Sequence, residues 1–176
     1  RGGNMKTRAL VIVAVLAGVP AACTKERPAG SEPGQVAAQG PFLTEAGFGT
    51  IRINETLAAD IPRIQEETYG CTYARAETDN GPVFIMTIDG KVARIELVEK
   101  GATLENGLGI GSLEDEIIAA FGDKAVVEPN KYDEQGTDYQ ITLSESAGLI
   151  FNVSEGKVHA FRVGRYPELE WVEGCS

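Results

Sequence analysis

Apolar and polar residues alternate along six short runs of the chain. The first three are Cys71 to Glu77, Val83 to Ile88 and Lys91 to Val98; the second three are Asp138 to Leu143, Leu149 to Val153 and Lys157 to Val163. A period of two is the pattern of a strand with one face buried and the other free to meet solvent. Turn residues separate the runs: Asp79-Asn80-Gly81 and Asp89-Gly90 in the first set, Glu155-Gly156 in the second. Asp89-Gly90 is the sharper signal, because Asp-Gly between apolar runs is a favoured two-residue hairpin turn. Each set therefore predicts an antiparallel meander.

A helical period precedes each meander. Leu113, Ile117, Ala120 and Phe121 recur at helical spacing, with Ser112 as N-cap, Glu114 and Asp115 in the first turn, and Gly122 as the stop. Leu57, Ile61 and Ile64 show the same spacing, and Gly70 would end that helix. Pro62 lies too deep if Thr56 is the cap, so a start at Asp60 would place it in the first turn. The two stretches open alike, with an extended piece leading to Thr56-Leu57 in one and Ser112-Leu113 in the other. Gly90-Lys91-Val92 matches Gly156-Lys157-Val158. This pattern predicts an α+β fold of two tandem helix-plus-antiparallel-meander units, about 47–99 and 106–165, with the helices packed on one face of the sheet. A tail, 166–176, completes a single folded domain over 42–176. Two unrelated hairpins with similar turns are the alternative.

The N-terminal stretch obeys a different pattern. Lys6 and Arg8 precede the apolar run Ala9 to Val19, then Pro20-Ala21-Ala22-Cys23. That order predicts a secretory signal peptide over 1–22. Eleven helical residues span about 16 Å, roughly half a bilayer core, so a permanent span is not expected. Cys23 falls where a lipoprotein is cut and acylated; Pro20 departs from the usual box, and cleavage without acylation is the alternative. Residues 24–41 are rich in Pro, Gly, Ala, Gln and charge and lack apolar periodicity. They predict a flexible tether with a reach of roughly 20–25 Å. With Cys23 set aside, Cys71 and Cys175 remain as a pair in an oxidising compartment, which predicts a disulfide. Two buried free thiols are the alternative.

Charge narrows the partners. The chain holds 26 acidic and 16 basic residues. Without 1–22, which carry three basic residues and no acids, the formal charge is −13. Such a surface repels phosphate backbones, so no nucleic-acid partner is expected. A cationic protein is the natural complement, and solubility alone is the other account.

Few residues point to chemistry. His159 is the single histidine; a lone strand histidine is ordinarily a surface or packing residue, and Ser/His/Asp catalysis would have to use it. No nucleophile elbow or phosphate loop is present. Gly107-Leu108-Gly109-Ile110-Gly111 reads as a turn between units. Asp133-Glu134-Gln135-Gly136-Thr137-Asp138 has part of a calcium loop's acidity but not its spacing, and reads as a polar loop. No catalytic residue, cofactor or metal is expected, and the chain is read as no enzyme. Trp171 in the tail is either an interface anchor or, the preferred reading, packed against the first unit and held there by Cys175 bonded to Cys71.

From about Gly47 to Arg165 the order of elements resembles an uncharacterised family of RpoE-regulated (envelope-stress) lipoproteins. The residues that carry the likeness are Gly47-Phe48-Gly49 with Thr56-Leu57, the run Gly90 to Leu97, Gly109 to Leu113, Ala120-Phe121-Gly122, and Lys157-Val158 with Arg162-Val163. More distantly it is similar to SmpA/OmlA-type assembly lipoproteins and tandem-repeat beta-lactamase inhibitors. The resemblance implies an outer-membrane, periplasm-facing lipoprotein, and Thr24 after Cys23 agrees with that sorting. The expectation is a non-enzymatic envelope protein, bound to the membrane by lipid on Cys23, that acts as a protein-binding, assembly or stress module. The alternative is a periplasmic inhibitor or immunity protein against a hydrolase such as beta-lactamase or lysozyme.

Overall fold

The computed structural model describes residues 42–176, so the expected signal peptide, Cys23 and the tether lie outside the described residues. A short hairpin comes first, β1 (Gly47–Phe48) with β2 (Ile51–Arg52). Three strands follow: β3 (Cys71–Thr78), β4 (Gly81–Ile88) and β5 (Lys91–Leu97). One helix, α1 (Glu114–Phe121), runs through a 3-10 turn into β6 (Ala125–Pro129). The last strands are β7 (Thr137–Thr142), β8 (Ala147–Ser154) and β9 (Lys157–Arg165). Seven strands form one antiparallel sheet in the order β3-β4-β5-β9-β8-β7-β6.

This overturns the expected α+β class. The described chain is mostly β, and it is not a pair of helix-plus-meander units, because the first helix does not form. The reason lies in its backbone groups. Pro62 has no N–H to give a helix. The edge of β3 takes up the groups around it: Ile64 N–H donates to Tyr73 O (2.9 Å) and Arg75 N–H donates to Pro62 O (3.0 Å). Leu57 is still buried and Ile61 still packs on the core, but Ile64 is half exposed. The helical spacing was a spacing of contacts made by irregular chain.

The second helix does form, with a different cap. Leu113, not Ser112, is the N-cap, and Glu116 Oε2 accepts its N–H at 2.7 Å. Ser112 Oγ instead accepts the Gly109 N–H. Of the apolar positions, Ile117 is fully buried and Phe121 packs on the core, while Leu113 lies half exposed. Gly122 stops the helix with φ 49°.

The strands hold because their alternation matches the pleat. Ile85, Ile95, Leu97, Leu149, Phe151, Phe161 and Val163 face one side of the sheet. Leu43, Phe48, Ile51, Leu57, Leu104, Leu108 and Ile117 cover that side, so the core sits between the sheet and a layer of loops, hairpin and helix. Phe151 stacks on Phe161 with centroids 5.7 Å apart, and Phe121 of α1 tilts onto Phe151.

Two hairpins inside the sheet follow one plan. Asp89-Gly90 and Glu155-Gly156 both turn through positive φ, near 51° and then 70–74°. Each hairpin then carries a bulge, between Met86 and Thr87 in one and Asn152 and Val153 in the other. Each receives a preceding segment in the same way. Val92 N–H donates to Glu55 O and Val158 N–H to Ser112 O, both at 2.9 Å, while Asn54 and Gly111, both at positive φ, donate back at 2.8 Å. The meanders thus repeat although the helix does not.

Candidate docking surface

The other face of the sheet is crossed by the tail. Beyond β9 the chain folds back beneath β5, β9 and β8, with a 3-10 turn at Glu168–Glu170. Leu169 is fully buried there. It fits because Gly148 has no side chain: a Cβ at that position would come within 2.7 Å of Leu169 Cδ2. The tail ends on Cys175, which is joined to Cys71 at the start of β3 with Cα atoms 5.4 Å apart.

A buried arginine holds the tail from the sheet. Arg94 on β5 is 3% exposed. Its Nη1 donates to the carbonyls of Glu168 (2.9 Å) and Trp171 (2.8 Å), its Nε to Glu96 Oε1 (2.7 Å), and its Nη2 to the Tyr73 hydroxyl. A buried guanidinium is tolerated because carboxylate and carbonyl oxygens replace its water. Arg162 on β9 donates Nε to Leu169 O (3.0 Å) and Nη1 to Asn152 Oδ1 (3.1 Å). Asn152 and Asn130 both donate to Asp138 Oδ1 at 2.7 Å, so the polar row runs on to β7.

The titrations report this packing. Burial first, then the neighbouring Glu96 carboxylate, pushes the Tyr73 hydroxyl up to about 12. Burial, then the second guanidinium of Arg94, lowers the Arg162 pKa. On the core side, burial and the Glu114 carboxylate push Tyr139 up to about 12; its hydroxyl donates to Glu114 Oε1 at 2.5 Å.

The tail divides two hollows. One is polar, about 340 Å³, lined by Tyr73, Arg94, Glu96 and Arg162 with the tail residues Trp171 to Ser176. The other is more apolar, about 420 Å³, lined by Thr68, Tyr69, Ile88, the Cys71–Cys175 bond and again the tail. Tyr69 stands at its edge wholly exposed, and its φ is +51°. A bulky residue at positive φ is uncommon, and Gly70 behind it also turns through positive φ. Trp171 is 39% exposed and Val172 46%. Acids surround this apolar corner in sequence: Glu66 and Glu67 precede Thr68, Asp89 follows Ile88, and Glu170 precedes Trp171.

The residues singled out from sequence fall as follows. Cys71 and Cys175 come together as a disulfide. Trp171 is fixed through its carbonyl rather than sealed by its ring. His159 is exposed in the β9 bulge and lines a hollow with Asn130, Asp133, Asn152 and Ser154. The Ser154 hydroxyl first, then the Gln135 N–H, hold the Asp133 carboxyl below its usual range. The Asp133–Asp138 loop closes on itself through Asn130, whose Oδ1 accepts the N–H groups of Tyr132 and Asp133. Among the described residues no three His, Cys, Asp or Glu side chains are placed to hold a metal ion, and no helix is long and apolar enough to cross a membrane.

Arg94, Arg162 and Tyr69 were not legible as site residues. Arg94 and Arg162 occupy polar positions of alternating strands, which reads as solvent exposure until the tail is placed. Tyr69 fell within the helix that does not form. The one available signal was Gly148 and Gly164, small residues within strands, which mark close approach of another segment.

No family model, no curated protein and no solved structure matches the chain. What the structure defines is a class by architecture: a seven-stranded antiparallel sheet, covered on one face by loops and a short helix, with a disulfide-tied tail across the other.

Proposed function

We propose that this is a non-enzymatic envelope lipoprotein, held at the outer membrane by lipid on Cys23, whose folded part binds a cationic protein at the Tyr69–Trp171–Val172 corner. The observation that carries the reading is Tyr69, a fully exposed aromatic at positive φ, beside exposed Trp171 and Val172 on a disulfide-tied frame. Tyrosine and tryptophan supply large contact area at small entropic loss, and a fixed backbone lowers the loss further. The acids around the corner and the net charge select a basic surface.

The test places a photo-crosslinking residue at Tyr69 and, as control, at the exposed Val98 in cells. The expected result is one basic envelope protein captured at 69, not at 98, whose binding to the purified chain falls at least tenfold with Y69A and again with raised salt. A partner indifferent to Y69A, or capture equal at both positions, would overturn it. Mass spectrometry of the exported protein checks for lipid on Cys23. A narrower form of the same reading is inhibition of a cationic hydrolase such as lysozyme, since Tyr69 projects from an acidic loop. Lysozyme retaining full activity at micromolar concentrations of this protein would remove that form.

A further inference from the structure

The sheet ends differently on its two sides. Beyond β3 lies Pro62–Gln65, an irregular segment bound by a single bridge, Arg63 to Ala74. Such a segment cannot pass the ladder on to another strand. Beyond β7 lies β6, a regular five-residue strand, and among the described residues nothing pairs with its outer side.

Hydrogen-bond alternation fixes which groups of β6 point outward. Asn130 N–H donates to Gly136 O (3.0 Å), so the Asn130–Gly136 position is a bonded pair. In an antiparallel ladder bonded and non-bonded pairs alternate. The register then makes Glu128–Asp138 and Val126–Gln140 bonded pairs, and turns the main-chain groups of Ala125, Val127 and Pro129 away from β7. The Ala125 N–H is already used by Gly122 O, and Pro129 has none. The outer edge therefore offers three carbonyls and one N–H, that of Val127.

The side chains along this edge are apolar at the centre and acidic around it. Val126 and Val127, on opposite faces, are 57% and 55% exposed. On the Val127 side, Tyr139 opposite it is bonded to Glu114, with Asp115 next in sequence. On the Val126 side stand Glu128, and Gln140 bonded to Glu170 at 2.7 Å. Lys124 is the one basic residue adjoining the strand.

We infer that β6 is a docking edge for an extended segment of a partner polypeptide with alternating basic and β-branched residues. The segment's N–H groups meet the Ala125, Val127 and Pro129 carbonyls; its basic side chains, all on one face, meet Glu128 and Glu170, and its β-branched side chains lie against Val127 on the other face. This is strand addition, in which backbone bonds give affinity and alternate side chains give choice. A second copy is the poorer occupant, because residues 42–176 carry 24 acidic and 11 basic side chains and two copies repel.

The test uses amide hydrogen exchange of the full chain with an alternating Lys/Val heptapeptide. The Val127 amide, open to solvent in the free protein, is expected to slow at least tenfold. The same peptide N-methylated at alternate residues, and an alternating Glu/Val peptide, are expected to leave it unchanged. V127P removes the outward N–H without taking a bond from the β7 ladder and should weaken the heptapeptide at least tenfold by calorimetry. E128K is a second variant should V127P fold poorly, and it should also weaken binding. No slowing at millimolar peptide overturns the inference, as does binding untouched by N-methylation. Val127 protection that grows with protein concentration alone would assign the edge to a second copy and overturn it equally. Y69A should leave all these readouts unchanged, so this edge and the Tyr69 corner stand or fall separately.

Discussion

The β4–β5 and β8–β9 hairpins share a turn, a bulge and a docking segment, yet the ends of the sheet beyond them have little in common. At the β3 end a proline-containing segment blocks the edge, and a disulfide and a buried arginine tie the tail down. At the β6 end a helix leads into a regular strand with exposed valines and no described tie on its outer side. The lesson is that the hairpin alone does not decide how its flank is finished. The edge of β3 drew the backbone bonding around Pro62 and Ile64 from a helix to the sheet. The finished ends then differ in what they can do, one tied down and carrying exposed aromatics, the other carrying backbone groups that no described residue pairs.

The sharpest way to break this contrast is to cut the tie. C71A/C175A opens a loop spanning a separation of 104 residues. It should lower unfolding free energy by about 4 kcal/mol, read by guanidinium denaturation against the oxidised parent. Backbone exchange should rise first in the tail and β3 and leave β7 to β9 nearly unchanged. Uniform loosening would mean that the two ends are not mechanically distinct.

A matched pair of truncations comes next. Leu169→Ala, in the sealed contact over Gly148, should cost about 3 kcal/mol. Alkaline titration gives a smaller and more local signal. Tyr73 ionises near 12 in the fold and near 10 in the unfolded chain. Its raised value means that the folded state favours the neutral hydroxyl, so this stability is complete below about pH 10 and lost as pH rises towards 12. Y73F should remove that alkaline loss together with one late tyrosinate absorbance step; an unchanged alkaline profile would show that the tail does not seal Tyr73. Smallest of all is Val127→Ala at the open edge, the second member of the matched pair, which should stay within about 0.5 kcal/mol. Similar losses for Leu169 and Val127 would erase the distinction between the ends.

The sequence alone determined six of the described strands and one pairing, while the edge strand β6 was not among the predicted runs. Alternation located all six predicted runs, because a side chain's face in a strand depends only on parity. Asp89-Gly90 and Glu155-Gly156 marked their turns, because the main-chain angles there are set by local chemistry. Cys71 and Cys175 could be paired by counting, since bonding partners were few. Only tertiary structure decided the rest. Leu57, Ile61 and Ile64 have helical spacing, but whether Pro62 and Ile64 bond within a helix or to Tyr73 and Arg75 depends on a strand edge formed later in the chain. Arg94 and Arg162 look like solvent residues until Leu169 settles on Gly148 and the tail's carbonyls replace their water. Local patterns fix which way a side chain points, whereas burial, ionisation and edge exposure depend on what distant segments bring to that side.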